Sequence, residues 1–150
     1  MAELITLDSS IVAKWFRSGE EFEEEALRLR REVLSSKVSA SASELLPLEV
    51  CRALVKVGYP SGKIREAYAT LIEMGELGFL ELVPTAMLRD VAKDAMVELN
   101  LYVAALTLAA AIINSSDLLT EDRHLLKQEV KRFMGKKGLT VIPLKEIYGV

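Results

Sequence analysis

Three acidic side chains in this 150-residue chain stand where carboxylates could do chemistry as well as meet solvent. Asp8 ends the apolar run Leu4-Ile5-Thr6-Leu7. Asp122 follows Leu118-Leu119-Thr120, one residue on. Glu49 sits in the mostly apolar stretch from Leu45 to Leu54. Each also has a plainer use. Asp8 can cap a helix that starts at Ser9, and Asp122 can cap the segment after it. Glu49 can lie along a helix edge with its stem on apolar surface. Brought together, the three carboxylates would repel unless a cation sat between them. A hard divalent ion, Mg²⁺ or Mn²⁺, suits an all-oxygen set that leaves positions for water and a phosphate oxygen. Other chemistries are poorly supplied. One cysteine, Cys51, and one histidine, His124, exclude an internal disulfide and any multi-cysteine or histidine-rich metal site. No glycine-rich phosphate loop, nucleophile elbow or histidine-containing triad is present.

The elements that must position these acids follow from the apolar periodicity. Residues 4–7, 38–42, 80–83, 118–120 and 139–144 are short runs that predict buried strands. Between them lie helical patterns: from Ser9, over 20–34, over 44–57, from Ile64 to Ile72 and beyond, over 88–99 with Thr85 as its cap, over 101–113 apolar on nearly all sides, and over 122–134 ending at Gly135. Pro47 leaves the third helix with two possible starts, a capping box at Ser41–Glu44 or a first turn containing the proline. Strands alternating with helices, without tight hairpin signals, predict an α/β fold with a mostly parallel central sheet and helices on both faces. In such folds ligands bind at the carboxyl ends of strands, where Asp8 and Asp122 both fall.

Composition narrows the classes further. Nineteen basic and 22 acidic residues give a net charge of −3, which excludes a uniformly basic nucleic-acid coat; contact with nucleic acid would have to be local. Five basic residues cluster late in the chain, Lys127, Lys131, Arg132, Lys136 and Lys137, where they complement a helix dipole. Lys14 and Arg17 lie on the helix that starts at the acidic rim, on what is expected to be a solvated face. The longest apolar stretch, Leu101 to Ile113, falls short of the roughly 20 residues a membrane helix needs. With no basic region at the start, no signal peptide is expected, and the expected setting is cytoplasmic, as one domain over residues 1–150.

Three segments in order resemble the PIN domain family, and within it the VapC-like toxins of toxin–antitoxin pairs. They are Leu7-Asp8-Ser9-Ser10-Ile11-Val12-Ala13-Lys14-Trp15-Phe16, Leu45-Leu46-Pro47-Leu48-Glu49-Val50-Cys51-Arg52-Ala53-Leu54 and Leu118-Leu119-Thr120-Glu121-Asp122-Arg123-His124-Leu125. The resemblance implies a PIN-like fold and a divalent-metal-dependent ribonuclease. It places Mg²⁺ or Mn²⁺ on Asp8, Glu49 and Asp122, with Thr120 as a supporting hydroxyl. It also implies RNA as substrate, a homodimer and a cognate antitoxin whose peptide covers the acidic groove. For the dimer, the segment from Gly58 to Leu80 is expected to contribute Tyr59, Tyr68, Leu71 and Met74. One position departs from the family: Tyr102-Val103-Ala104 stands where a Tyr-Asp-Ala motif is usual, and a valine cannot ligate a cation. Asp117 is a candidate replacement, although it precedes its strand. The departure opens an alternative, a catalytically degenerate PIN-like protein that acts by dimerisation or by binding RNA or a partner. A response-regulator receiver shares the α/β alternation but needs a paired acidic cluster after the first strand and a mid-chain phosphoacceptor, and neither is visible here.

Overall fold

The structure is a computed structural model, and it describes residues 3–148. Five strands form one sheet: β1 (Glu3–Leu7), β2 (Val38–Ser43), β3 (Leu80–Val83), β4 (Asp117–Leu119) and β5 (Val141–Ile142). Every pairing is parallel and the order is β3-β2-β1-β4-β5. The chain therefore steps from β1 outward to β3, crosses back, and continues on the other side of β1. Parallel crossovers are right-handed, so reversing the direction of travel moves the connecting helices to the opposite face. Helices α1 (Ser9–Val12), α2 (Glu23–Leu34), α3 (Leu46–Lys56) and α4 (Ser61–Glu76) share one core with Leu7, Ala40, Ala42, Leu80 and Leu119. Helices α5 (Thr85–Leu99), α6 (Ala104–Ile113) and α7 (Gln128–Gly135) share the other with Val83, Leu118 and Val141. Neighbours such as Leu118 and Leu119 serve opposite cores, as the two-residue period of a strand requires. The reversal leaves a crevice at the carboxyl ends of β1 and β4.

The expected elements form, with differences that have local causes. Pro47 occupies the first turn of α3, where its missing N–H has no helical partner to lose. Glu44 takes no part in a capping box at its own helix. Its Oε2 accepts the Thr85 N–H at 2.7 Å and so caps α5 in place of the Thr85 side chain. The helix expected over 122–134 begins only at Gln128, because residues 122–126 close a turn on Asp122: its main-chain carbonyl accepts Leu125 and Leu126, and its Oδ1 accepts the His124 N–H at 2.8 Å. The last strand ends at Ile142, since Pro143 has no N–H for a ladder, and Leu144–Ile147 form the short helix α8. Lys14 is buried instead of solvated. Its Nζ donates to the Glu21 carbonyl at 2.9 Å and lies 3.9 Å from Glu20, which also holds Arg17. Leu71 and Met74 are core residues of α4, so they cannot serve a dimer surface; Tyr68 and Leu77 remain exposed there. Among the described residues no helix is long and apolar enough to cross a membrane.

One polar cluster sits inside the sheet-helix layer. Thr6 of β1 bonds Ser41 of β2 at 2.9 Å and Ser116 at 2.5 Å, and Asn114 at the end of α6 donates to Ser41 at 2.9 Å. Thr6 and Ser41 are fully buried. The cluster ties the central strand to β2 and to the residues leading into β4, so it fixes the register that carries Asp8 and Thr120 to the same rim. Thr6→Val keeps the shape but leaves two buried hydroxyls short of a partner. It is expected to destabilise the fold by about 1–3 kcal/mol in urea unfolding, with an unchanged denaturant slope.

Candidate active site

Asp8 is the first residue beyond β1, and its extended backbone (φ −87°, ψ 155°) turns directly into α1. Its main-chain N–H donates to Leu119 at 3.1 Å, stitching the ends of β1 and β4 together. The carboxylate does two jobs. It caps α1 through the Ser10 N–H at 3.4 Å, and it accepts the Ser10 hydroxyl at 2.5 Å and the Thr120 hydroxyl at 2.8 Å. All three donors fall on Oδ2, and Oδ1 is not among the sealed, unpartnered atoms. One oxygen is thus fixed by the fold and the other is left to the crevice.

Thr120 is completely buried just past β4. Its hydroxyl donates to Asp8 and accepts the Asp122 N–H at 3.0 Å, so a single side chain spaces the two acids. Ser10 makes the matching link from the other side: its Oγ accepts the Glu121 N–H at 2.9 Å while donating to Asp8. Nothing singled out Ser10 beforehand. The available signal was a hydroxyl residue two places after a capping aspartate, a spacing that puts it on the same carboxylate. Glu121 turns away and accepts the Leu144 N–H at 2.8 Å, holding the start of α8.

Glu49 lies in the first turn of α3, half-buried, and burial together with the nearby Asp8 charge pushes its pKa up to about 7. Asp8 is also raised, first by burial and further by Asp122, while the Ser10 and Thr120 hydroxyls oppose the rise. Asp8 therefore feels Asp122, and Glu49 feels Asp8. Among the described residues no lysine or arginine forms an ion pair with any of them.

Asp117 does not join this group. It begins β4 opposite Ile5, at the other rim, and its Oδ1 accepts the Thr140 N–H at 2.9 Å. Val103 immediately precedes α6, whose C-terminal end leads into β4. Its side chain is therefore on the carboxyl-end rim, partly exposed, and places methyl groups where an acid would add charge. Among the described residues no group of three or more His, Cys, Asp or Glu is arranged to hold a metal ion by itself. The donors nevertheless match a hard divalent ion in kind: oxygen only, one Asp8 oxygen free, and no basic neighbour to satisfy them. Mg²⁺ characteristically takes one or two carboxylates and keeps several waters, so what these residues share with such sites is the kind of donor and not a closed protein cage.

The raised Glu49 pKa has a sign that can be tested. Its folded value of about 7 lies above the ordinary 4.5, so the folded state holds the proton more tightly. Stability is then fully present below about pH 4.5 from this group and is lost as pH rises through 7. The limit is about 3 kcal/mol, reduced by the water that reaches the half-buried side chain. In chelator, unfolding free energy is expected to fall between pH 5 and pH 8, and Glu49→Gln is expected to flatten that fall.

The comparisons with known proteins agree with this geometry. The PIN domain family model matches residues 5–131, from within β1 to the middle of α7. No curated protein matches the chain in sequence. Among solved structures the chain is similar to the crystal structure of FitAcB from Neisseria gonorrhoeae, with a TM-score of 0.54 at 16% identity, covering 95% of this chain and 99% of that one. That likeness extends to the fold. With the family model spanning all three acidic segments and the sheet order placing them on one rim, the chain belongs to the PIN domain family.

Proposed function

We propose that this protein is a divalent-metal-dependent ribonuclease of the toxin–antitoxin, VapC-like type, acting in the cytoplasm through the acidic rim. What supports it is the uncompensated carboxylate group. Burial raises the pKa values of both Asp8 and Glu49, and a neighbouring carboxylate adds to each rise, Asp122 for Asp8 and Asp8 for Glu49. A fold that needed these residues only for capping would not gain from crowding them.

In this proposal Asp8 Oδ1, Asp122 and Glu49 hold Mg²⁺ or Mn²⁺. Bound there, the ion would lower the pKa of a water and stabilise charge on the scissile phosphate. The chain's own residues do the remaining work. Thr120 and Ser10 clamp Oδ2, so the Asp8 carboxylate cannot rotate away from the crevice. The turn closed on Asp122 holds its carboxylate by the His124 N–H. Glu49, raised to about 7 by burial and the Asp8 charge, would be drawn to its charged form by a bound cation. A homodimer and an antitoxin peptide, with an arginine reaching Asp8 or Asp122, belong to the same proposal.

Val103 favours a second reading, a PIN-like remnant that binds but does not cut. Its methyl groups add no ligand at the start of α6. Two substitutions separate the readings. If the site is catalytic, RNA cleavage requires Mg²⁺ or Mn²⁺, and Asp8→Asn lowers the rate at least about a hundredfold. In a remnant, wild type does not cleave, and Val103→Asp raises Mn²⁺ affinity in titration calorimetry about tenfold or more by adding a carboxylate ligand. Unchanged Mn²⁺ affinity in Val103→Asp would mean that residue 103 does not serve the crevice.

A further inference from the structure

Charge is distributed very unevenly along this chain. Residues 123–137 carry six basic side chains and one acid, a net of +5, while the other 135 residues carry −8. The six are Arg123, Lys127, Lys131, Arg132, Lys136 and Lys137. Among the described residues none of them pairs with a carboxylate; the ion pairs lie within residues 14–37, 63–66 and 93–94.

The packing of α7 decides where this charge points. Val130 and Met134 are buried and Phe133 packs on the same core, which sets the helix roll. Arg132 and Lys136 are exposed one turn apart, and Lys127 and Lys131 form a second i,i+4 row. Lys137 sits over the Phe133 ring, 4.9 Å from its centroid. Like charges at this spacing oppose helix formation. The helix dipole compensates Arg132 and Lys136 near the C-terminus, but it disfavours Lys127 at the N-terminus. Folding alone therefore does not account for the arrangement.

Two further observations select the partner. The ridge starts within one turn of the acidic site, because the Leu126 N–H donates to the Asp122 carbonyl, and it runs about 15 Å at the helical rise of 1.5 Å per residue. No large hydrophobic side chain is exposed within residues 123–137. Protein interfaces have an apolar or aromatic centre, and this face has none. It offers repeated positive charge leading to a carboxylate crevice.

We infer that the basic ridge of α7 and its flanks, Lys127, Lys131, Arg132, Lys136 and Lys137, binds the phosphate backbone of single-stranded RNA and leads it to the Asp8–Asp122 rim. The inference rests on the ribonuclease reading for the identity of the polyanion and deepens it by naming the surface that holds the strand.

The test is fluorescence anisotropy of a labelled oligouridine, in chelator so that nothing is cleaved, over a series of salt concentrations. Wild type is expected to bind with a log–log salt slope of about −3, for four or five phosphates at about −0.7 each. Lys131→Glu/Arg132→Glu/Lys136→Glu is expected to weaken binding at least tenfold and to flatten the slope by about 2. Lys56→Glu/Arg65→Glu, exposed basic positions on α3 and α4, is the control and is expected to change neither. Should the triple variant fail to fold by circular dichroism, the single glutamine substitutions at the same positions are each expected to flatten the slope by about 0.7. Unchanged affinity and slope in the α7 variants, an equal loss in the control, or no binding by wild type would each overturn the inference. So would loss of binding to a polyglutamate peptide with RNA binding intact, which would make the ridge a protein-docking face. Cleavage in Mn²⁺ is scored separately. Binding through α7 without cleavage sinks the ribonuclease reading alone; cleavage with an indifferent α7 sinks the ridge alone.

Discussion

The structure is organised around a carboxylate that is buried where its charge is hardest to accommodate. Asp8 is 5% exposed at the end of the central strand, with Glu49 and Asp122 nearby and no basic side chain paired to it among the described residues. Only hydrogen-bond donors offset the burial: two hydroxyls and the Ser10 N–H of α1. Such donors favour the charged form but do not cancel desolvation, and the direction of the Asp8 shift shows desolvation prevailing. Carboxylates perturbed by burial and by one another mark a candidate functional site.

The topology makes this crowding unavoidable. Because β1 is central and β2 and β4 flank it, whatever follows β1 and β4 must meet above the sheet. The Asp8 N–H to Leu119 bond and the Thr120 and Ser10 bridges then lock the two ends at hydrogen-bonding distance. Beneath them the Thr6–Ser41–Ser116 cluster sets the register of the strands. A slip of one residue would send Asp8 to the opposite face of the sheet. The hydroxyl residues of β1, β2 and the segments that flank β4 thus serve one end, which is to hold a rim whose charges push apart.

At the other rim the chain is tied differently. Tyr148 donates its hydroxyl to Glu32 at 2.8 Å, and Arg28 lies 3.7 Å from the centroid of the Tyr148 ring. Burial and the Glu32 charge raise the Tyr148 pKa, so the phenol stays protonated and remains a donor. This contact anchors α8 to α2 away from the acids. It leaves the carboxyl-end rim as the face where carboxylates, the exposed Val103 and the start of the basic ridge converge.

Much of this was legible from the residues alone. The strand cores, the alternation with helices and the placement of Asp8 and Asp122 after strands follow from local periodicity, because burying apolar side chains at period 2 or 3.6 is a property of neighbours in sequence. The departure at Val103 from the motif the chain resembles is likewise readable in the sequence, since a family motif is a linear pattern. What it could not settle were choices made by distant partners. Glu44 caps α5 because β2 and β3 end side by side, and Lys14 is buried because the Glu21 carbonyl folds over it. Leu71 and Met74 looked available for an interface, but α4 packs them inward. Ser10 became part of the site only when the loop after β4 came within reach of its hydroxyl. Asp117 and Asp122 are five residues apart, yet strand direction sends one to each rim. Local sequence determined which residues could be charged, buried or helical. Tertiary structure decided which of them meet, because hydrogen bonds and Coulomb forces depend on distances in space that a linear pattern does not contain.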